Sequence, residues 1–265
     1  MKFLPLKDYY RSLFVALFVP LFVAFLLCLH LYNIKVERAI EKRQADFEQV
    51  SAQVSHIMSS VNDFFDNAFI SYQQPSVEQF NRNLLEGINQ YDNYYYRHFS
   101  KRQGEIVGKG QFAFSNRALI QWQQATTLSP TFNTALSLMQ SLSAVAYVDD
   151  SGFAYVVRRN KSQSTMLNKI LNGNFKPTFI PGQLTSSAIV KIRDSAYFAI
   201  GRKKQPNPSD YIILIYDLEA MSSWLKKVAP SEGEYVFMNQ SHQVIASSVK
   251  QLNEATALKD YWPEL

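Results

Sequence analysis

The sequence predicts an α+β protein: an N-terminal transmembrane helix, a long membrane-proximal helix, and a mixed α/β domain with an antiparallel sheet. Three observations support this fold class. One apolar run occupies residues 13–31. A regularly spaced apolar stripe follows in a segment without glycine or proline, and short β-type segments become frequent from residue 144 onward. Helical and β-type segments therefore dominate different parts of the chain, which is typical of α+β folds.

The apolar run at residues 13–31 predicts a single membrane-spanning helix. It is interrupted only by Pro20, Cys28 and His30, and a helix of about 20 residues crosses a hydrocarbon core of about 30 Å. Three basic residues precede the run: Lys2, Lys7 and Arg11. A secretory signal has the same basic start, but this run is longer than a usual signal core and no small-x-small cleavage site follows it. We therefore expect an uncleaved anchor.

The layout around the anchor predicts its orientation and location. A short basic tail followed by one span and a large domain favours a cytoplasmic N-terminus. Basic residues also follow the span, offset by Glu37 and Glu41. The only cysteine, Cys28, lies in the span, so the later domain has no disulfide, whereas eukaryotic ectodomains frequently carry them. We expect a single-pass protein of the bacterial inner membrane with its soluble domain outside the cytoplasm.

The composition argues against several function classes. Hydrophobic residues make up 47% of the chain and charged residues 18%, which excludes wholesale disorder. The four histidines lack metal-ligand spacing, and the sequence has neither a phosphate-binding loop nor a Gly-x-Ser-x-Gly elbow. Asp149 and Asp150 are adjacent carboxylates at a predicted turn, where Asp bonds the local backbone. We expect no metal, no cofactor and no catalytic residue here, and the anchor makes nucleic acid an unsuitable partner despite a net charge of +5.

The helix predicted at residues 34–72 carries an apolar stripe with heptad-like spacing. From Phe47 onward, apolar residues recur at alternating intervals of three and four. The stripe consists of Ile40, Phe47, Val50, Val54, Ile57, Val61, Phe64 and Ala68. It packs either on its own domain or against the same stripe of a second copy, and few charges flank it. The pattern leaves both packing arrangements of the stripe open. For the oligomeric state, we expect a homodimer.

Turn and breaker residues divide the rest of the chain into shorter elements. The predicted helices lie at residues 76–99, 116–126, 129–142, 166–171 and 218–228. A loop is predicted at Gly104, Gly108 and Gly110. The predicted strands form hairpins at residues 144–157 and 235–247 and single strands at 188–192, 196–201 and 211–216.

The two hairpins carry a resemblance to a known family. Residues 145–157 and 235–247 each read as an apolar strand, a polar turn and an apolar strand, which is how a PAS-like lobe begins. With the anchor and the long helix, the layout resembles the double-Cache (PAS-like) extracytoplasmic sensor region of bacterial transmembrane receptors, such as hybrid sensor histidine kinases. The resemblance implies four regions: a tail and anchor at 1–33, a long helix at 34–72, a membrane-distal Cache/PAS-like lobe at 73–228, and the start of a membrane-proximal lobe at 229–265.

The resembled fold also implies a ligand site. Hairpin and sheet residues line its pocket, and a pocket combines aromatic walls with a few polar groups. The candidate ligand-binding residues are Trp122, Tyr147, Tyr155, Arg158 and Tyr197. For each of them, ordinary core packing is the alternative. A PAS-like lobe needs further strands after its first hairpin, so we expect the second lobe to continue beyond residue 265.

The predicted function is the sensing input of a bacterial receptor. A small molecule or a periplasmic binding protein would bind the distal lobe, and the long helix would convey the change to the membrane. A longer receptor of this kind, in a two-component system or similar signal-transduction pathway, would carry a kinase or cyclic-dinucleotide output module. Two alternatives stay open: a bitopic scaffold of an envelope or secretion complex, and an enzyme with an unrecognised site.

Overall fold

The protein is α+β throughout the part of the chain that the structure describes. The computed structural model describes residues 6–72, 86–99, 104–113, 115–149, 152–159, 164–176, 178–179, 183–192, 195–203, 210–230, 233–239 and 243–249. A long N-terminal helix precedes a domain built on an eight-stranded antiparallel sheet, which confirms the predicted fold class at this level. The chain divides into two compact units, Met1–Val54 and Ser55–Leu265.

The first unit is helical wherever it is described. Helix α1 runs Leu6–Ser71, and Pro20 lies inside it without ending it. This helix contains a stretch that is long and apolar enough to cross a membrane. Its apolar side chains are exposed, with Phe18 at 56% and Leu21 at 67%, so a bilayer rather than protein would remove this surface from water. A helix long and apolar enough to span a membrane is thus present at the predicted position, while its membrane insertion and its orientation stay predictions.

The second unit contains the remaining elements. The strands of its large sheet are β1 (Asn89–Gln90), β2 (Tyr94–His98), β3 (Glu105–Lys109), β4 (Leu142–Val148), β5 (Phe153–Arg158), β6 (Thr185–Ile192), β7 (Ser195–Lys203) and β8 (Tyr211–Asp217). The further helices are α2 (Asn116–Thr127), α3 (Ser129–Leu138), α4 (Ser164–Leu171) and α5 (Leu218–Val228). The strand order is β1-β2-β3-β5-β4-β8-β7-β6, and all the pairings are antiparallel.

The two faces of this sheet are covered differently. Alternate residues of each strand point to opposite faces. On one face, called the helix-side face, α2, α3 and α5 pack on the strands, and the ring of Phe132 lies 5.8 Å from that of Tyr155. On the other face, called the α4 face, Met166 and Ile170 of α4 share a buried cluster with Val156. Because both faces are covered, the central strand β8 is almost continuously apolar.

The apolar stripe of α1 has two different environments. In the second unit, Val61 and Ala68 are 2% and 0% exposed, and the ring of Phe64 lies 6.0 Å from that of Phe132. This part of the stripe packs within its own chain. In the first unit, Ile40 and Phe47 are 60% and 63% exposed. Val50, also in the first unit, is 6% exposed. The homodimer stays a prediction, and Ile40 and Phe47 are the stripe residues whose exposure leaves them available for it.

The helix ends follow from local sequence signals. The side chain of Ser115 accepts the backbone N–H of Ala118 at 3.1 Å and caps α2. Asp217 caps α5 in the same way, and Lys226 and Lys227 in its last turn complement the helix dipole. Helix α4 ends at Leu171, and Gly173, two residues later, has a φ of +73°, the left-handed conformation that a glycine adopts freely.

A small hairpin follows the main sheet. Strands β9 (Val236–Met238) and β10 (Val244–Ser247) pair antiparallel, as the sequence predicts. The hairpin packs against α5, and the backbone N–H of Ser247 donates to Ser222 Oγ at 3.1 Å. The division into two Cache-like lobes and the continuation beyond residue 265 stay predictions.

Three sequence predictions are wrong in detail. The predicted helix at residues 76–99 is replaced by β1 and β2 within 89–98, while 76–85 lies outside the described residues. Gly108 belongs to strand β3 and not to a loop; a Cβ there would clash with the ring of Tyr95. The helix predicted to end at Leu142 ends at Leu138, and Leu142 begins β4. In each case, pairing with another strand overrides a local pattern.

Candidate functional site

The α4 face holds a cavity of about 320 Å³ beside helix α4. We call it the Glu105 cavity. Its lining residues come from β2, β3, β5 and α4: Tyr94, Tyr96, His98, Glu105, Val107, Arg158, Leu167 and Asn168, together with Tyr91 from the loop before β2. A volume of this size lies at the small end of the range for small-molecule sites, about 300–1,000 Å³.

A buried ion pair forms the polar centre of the Glu105 cavity. Glu105 is the first residue of β3 and Arg158 the last of β5, and the antiparallel register brings these strand ends together. Arg158 Nε donates to Glu105 Oε2 and Nη2 to Oε1, both at 2.8 Å. The two side chains are 4% and 5% exposed. Such a two-point pair fixes the orientation of both groups, and burial makes each charge depend on the other.

Two further polar groups converge on the same carboxylate. The hydroxyl of Tyr96 donates to Glu105 Oε1 at 3.0 Å. Burial, followed by the nearby Glu105 charge, raises the pKa of Tyr96, so this hydroxyl stays protonated and able to donate. His98 Nδ1 lies 3.3 Å from Glu105 Oε1. The β2 register places Tyr96 and His98 two residues apart on the same face.

The rest of the cavity wall combines aromatic, aliphatic and amide groups. The rings of Tyr91 and Tyr94 stack with centroids 4.6 Å apart, and Asn168 contributes an amide from an exposed position on α4. Because Glu105 and Arg158 neutralise each other, the site suits a small polar molecule without a large net charge. Tyrosine and asparagine supply hydrogen bonds to orient it, and the stacked rings supply apolar contact.

The five residues predicted from the sequence do not form one site. Trp122, Tyr147 and Tyr155 are buried on the helix-side face, whereas Arg158 and Tyr197 belong to the α4 face. Tyr197 lies on β7, three strands from β5 in the sheet order, or about 14 Å away at the usual strand spacing. Arg158 lines the Glu105 cavity, and the four aromatic residues pack in the core. Ligand binding by these four stays a prediction.

Tyr147 takes part in a buried hydrogen-bond chain that connects α1 to the sheet. The hydroxyl of Tyr72, next to the last residue of α1, donates to Tyr147 Oη at 2.8 Å. Tyr147 donates in turn to Asp210 Oδ2, also at 2.8 Å. Burial raises the pKa of Tyr72 to about 12 and raises that of Tyr147 further, since Tyr72 and Asp210 add to the effect. Both tyrosines therefore remain protonated donors over the physiological pH range.

Trp122 is the centre of an aromatic cluster on the helix-side face. Its ring lies 4.9 Å from that of Phe112 and 5.9 Å from that of Tyr95. The ring of Phe153 stacks on it at 6.4 Å. This packing anchors α2 to the sheet, which is the role that core burial of a large aromatic residue usually has.

The turn carboxylate Asp149 has the local role that the sequence predicts. Its Oδ1 accepts the backbone N–H of Phe153 at 3.0 Å, across the β4–β5 turn. Its Oδ2 accepts Gln121 Nε2 at 2.9 Å. Asp150 lies outside the described residues.

Sequence reasoning missed the partners of Arg158. The sequence patterns place Tyr96 and His98 in a helix and Glu105 at the edge of a glycine-containing loop. One signal was available: residues 94–98 are rich in tyrosine, which favours strands. The Glu105–Arg158 pair itself joins residues 53 positions apart, so no local sequence pattern indicates it.

A third kind of surface lies among the helices. A groove of about 900 Å³ runs between the second-unit part of α1, α3 and α5. Its lining includes Ile57, Phe64, Thr134, Leu138 and Trp224, and Leu138 is 76% exposed. We call it the helical groove. It offers more apolar surface than the Glu105 cavity and no buried ion pair among the described residues.

The sequence matches no protein-family model, and no curated protein matches it with significance. Within the described residues, no group of three His, Cys, Asp or Glu side chains could hold a metal ion. The double-Cache resemblance stays a prediction, and the function is argued from the site.

Proposed function

We propose that this chain is the extracytoplasmic signal-sensing input region of a bacterial transmembrane receptor, such as a sensor histidine kinase. Its Cache/PAS-like domain binds a small polar molecule, presented free or by a periplasmic binding protein. The observation that carries the proposal is the Glu105 cavity: a concave site with aromatic walls and an oriented, buried ion pair. It occurs in a chain whose N-terminal helix is apolar enough to cross a membrane.

The chemistry of the cavity favours recognition over catalysis. Glu105 is engaged by Arg158 and Tyr96, so its carboxylate is held as an acceptor and not left available as a general base. The arrangement is pre-organised, which lowers the entropy cost of binding. A ligand would bond the exposed edges of the tyrosines and of Asn168, while the ion pair fixes the wall behind them.

The hydrogen-bond chain gives the sheet a route to the long helix. Tyr147 lies on β4, and its bond to Tyr72 reaches the C-terminal end of α1. Helix α1 is continuous from Leu6 to Ser71. A ligand that binds one arrangement of the sheet more tightly shifts the equilibrium toward that arrangement. The proposal is that this shift moves the end of α1 and so reaches the membrane.

Two experiments test the proposal. A reporter that is active only outside the cytoplasm, fused after Leu265, should be active. If the fusion point proves to be cytoplasmic, the proposed sensor function is excluded. A library of small polar metabolites should contain compounds that raise the unfolding temperature of the 265-residue chain in non-ionic detergent. At a ligand concentration of about 100 Kd the stabilisation is about 2.7 kcal/mol, which corresponds to several degrees for a domain of this size.

The variant Asn168→Trp locates any binding found in this way. Asn168 is exposed on α4 and lines the cavity, so an indole there narrows the site without removing the Glu105–Arg158 pair. Thr134→Trp is the matched control, since Thr134 is also an exposed helical residue but lines the helical groove. Asn168→Trp should weaken binding about tenfold or more and Thr134→Trp should not. The opposite pattern contradicts the proposal.

The second candidate function is a bitopic scaffold of an envelope or secretion complex. The helical groove, with its exposed Leu138, is the observation that favours it. A scaffold of this kind would show no stabilisation by small molecules, and Thr134→Trp would disrupt its assembly.

A further inference from the structure

We propose that a second cavity on the α4 face binds a small organic anion with at least two negative charges. This cavity, called the lysine cavity, has a volume of about 680 Å³. It is separate from the Glu105 cavity: the two share no lining residue. The inference does not rest on the proposed function, and either can fail while the other holds.

Three lysines from three different segments line this cavity. Lys109 ends β3, Lys203 ends β7, and Lys176 lies in the turn segment after α4. The strand order and antiparallel register bring the ends of β3 and β7 to the same end of the sheet, with the β4–β5 turn between them. Residues distant in the sequence therefore supply the positive charges.

None of the three lysines forms an ion pair with a carboxylate of a described residue. Two ammonium groups instead lie over aromatic rings: Lys203 Nζ is 4.7 Å from the centre of the Phe179 ring, and Lys176 Nζ is 5.6 Å from that of Tyr211. These contacts hold the lysine side chains while leaving the charge uncompensated.

The one carboxylate that lines the cavity among the described residues is already engaged. Asp149 accepts the backbone N–H of Phe153 through one oxygen and the side-chain amide of Gln121 through the other. It can offset one positive charge at most, so the lining keeps an excess of two. Like charges around one cavity repel, and an anion bound between them removes this repulsion.

The size and lining of the lysine cavity define the class of anion. Its volume exceeds what inorganic phosphate needs and falls in the range of small-molecule sites, about 300–1,000 Å³. Val148, Ile170 and Leu171 add apolar surface to the lining. An organic anion with a carbon skeleton and two or more charges, either a polycarboxylate or a phosphate ester, matches both properties.

Binding is tested with citrate, glucose 6-phosphate and inorganic phosphate on the 265-residue chain in non-ionic detergent. Isothermal titration at low ionic strength should give citrate or glucose 6-phosphate a Kd at least about tenfold lower than that of inorganic phosphate. The tighter of the two organic anions identifies a carboxylate or a phosphate ester as the preferred group. Equal, weak binding of all three would overturn the proposal.

A pair of charge-matched variants locates the binding. The triple variant K109Q/K176Q/K203Q removes the cavity lysines, and K191Q/K226Q/K227Q removes three exposed lysines outside it. The first should raise the Kd about tenfold or more, and the second should change it less than about twofold. Without added anion, the cavity variant should melt at the same or a higher temperature, because repulsion is relieved. If both triples weaken binding equally, the effect is net charge and the site does not exist. If the triple variant K109Q/K176Q/K203Q fails to fold, the single variant K109Q tests the site in its place. This one substitution should weaken binding severalfold.

Discussion

The two faces of the large sheet differ in how they satisfy their polar groups. On the helix-side face, the hydroxyl of Tyr147 bonds to Tyr72 and Asp210, and its ring packs against that of Phe153. On the α4 face, Glu105 and Arg158 pair at the wall of a cavity. The first arrangement closes its polar groups on one another, and the second presents them next to open space. Equal burial can therefore mean structural support on one face and a binding site on the other.

The difference also explains why aromatic residues in the sequence do not by themselves locate the binding site. Trp122 and Tyr155 are large and amphipathic, as pocket residues often are. Nevertheless, three helices cover their face, whereas the α4 face receives one short helix, of eight residues, among the described parts of the chain. A short helix cannot cover an eight-stranded sheet, and the cavities lie beside it.

The largest effect is expected from the helix-side face. Trp122→Ala should lower the free energy of unfolding by about 3–5 kcal/mol, since it leaves a cavity among Phe112, Tyr95 and Phe153. Chemical denaturation measures the change. Binding of any ligand of the α4 face should keep its Kd in the folded fraction. A variant with native stability would show that this aromatic cluster does not hold α2.

Breaking the ion pair should be nearly as costly, and removing both partners should not. Arg158→Leu leaves Glu105 buried without its partner and should cost about 3–5 kcal/mol. The double variant E105L/R158L should recover most of the loss, because a buried pair can be replaced by apolar residues at little cost. Ligand binding should be absent from both. If the stable double variant still binds the ligand, the ion pair is not part of the ligand-binding site.

Alkaline pH should destabilise the protein through its buried tyrosines. The pKa values of Tyr72, Tyr155 and Tyr211 are each raised by burial from 10.0 to about 12. A raised pKa means that the folded state holds the proton more tightly, so this stabilisation is complete below pH 10 and is lost as the pH rises toward 12. Denaturation curves at pH 9 and pH 11 should differ, and Tyr155→Phe should reduce the difference. A flat profile would mean that these hydroxyls reach water.

Smaller effects are expected from the hydrogen-bond chain. Tyr147→Phe keeps the ring but leaves the Tyr72 hydroxyl and the Asp210 carboxylate without this partner. The expected loss is about 1–3 kcal/mol. Tyr72→Phe removes the outer hydroxyl alone and should cost less. In a receptor assay, both variants should alter signalling while leaving the ligand Kd within about twofold. Unchanged signalling would show that the hydrogen-bond chain does not transmit the signal.

The sequence predicts the elements whose patterns are local and misses those that only pairing with other strands defines. The β4–β5 hairpin and helix α5 carry clear alternation and capping signals, and their predicted bounds agree closely with the observed ones. The sequence predicts a helix in place of strand β2 because its tyrosines have no local period-two contrast, and only pairing with β3 defines the strand. Arg158 was found by its position on the hairpin, but its partner Glu105 requires the strand register. The lysine cavity likewise depends on strand order.

Hydrogen exchange with and without a stabilising metabolite tests the division of the two faces most directly. Helix α4 belongs to one face, and α2 and α3 belong to the other, so peptides covering these helices report on the faces separately. Bound metabolite should slow exchange most in peptides from α4, β2 and β3, with a smaller effect at the end of α1. Protection centred on α3 and the helical groove, with α4 unchanged, would contradict the assignment of the α4 face as the binding surface.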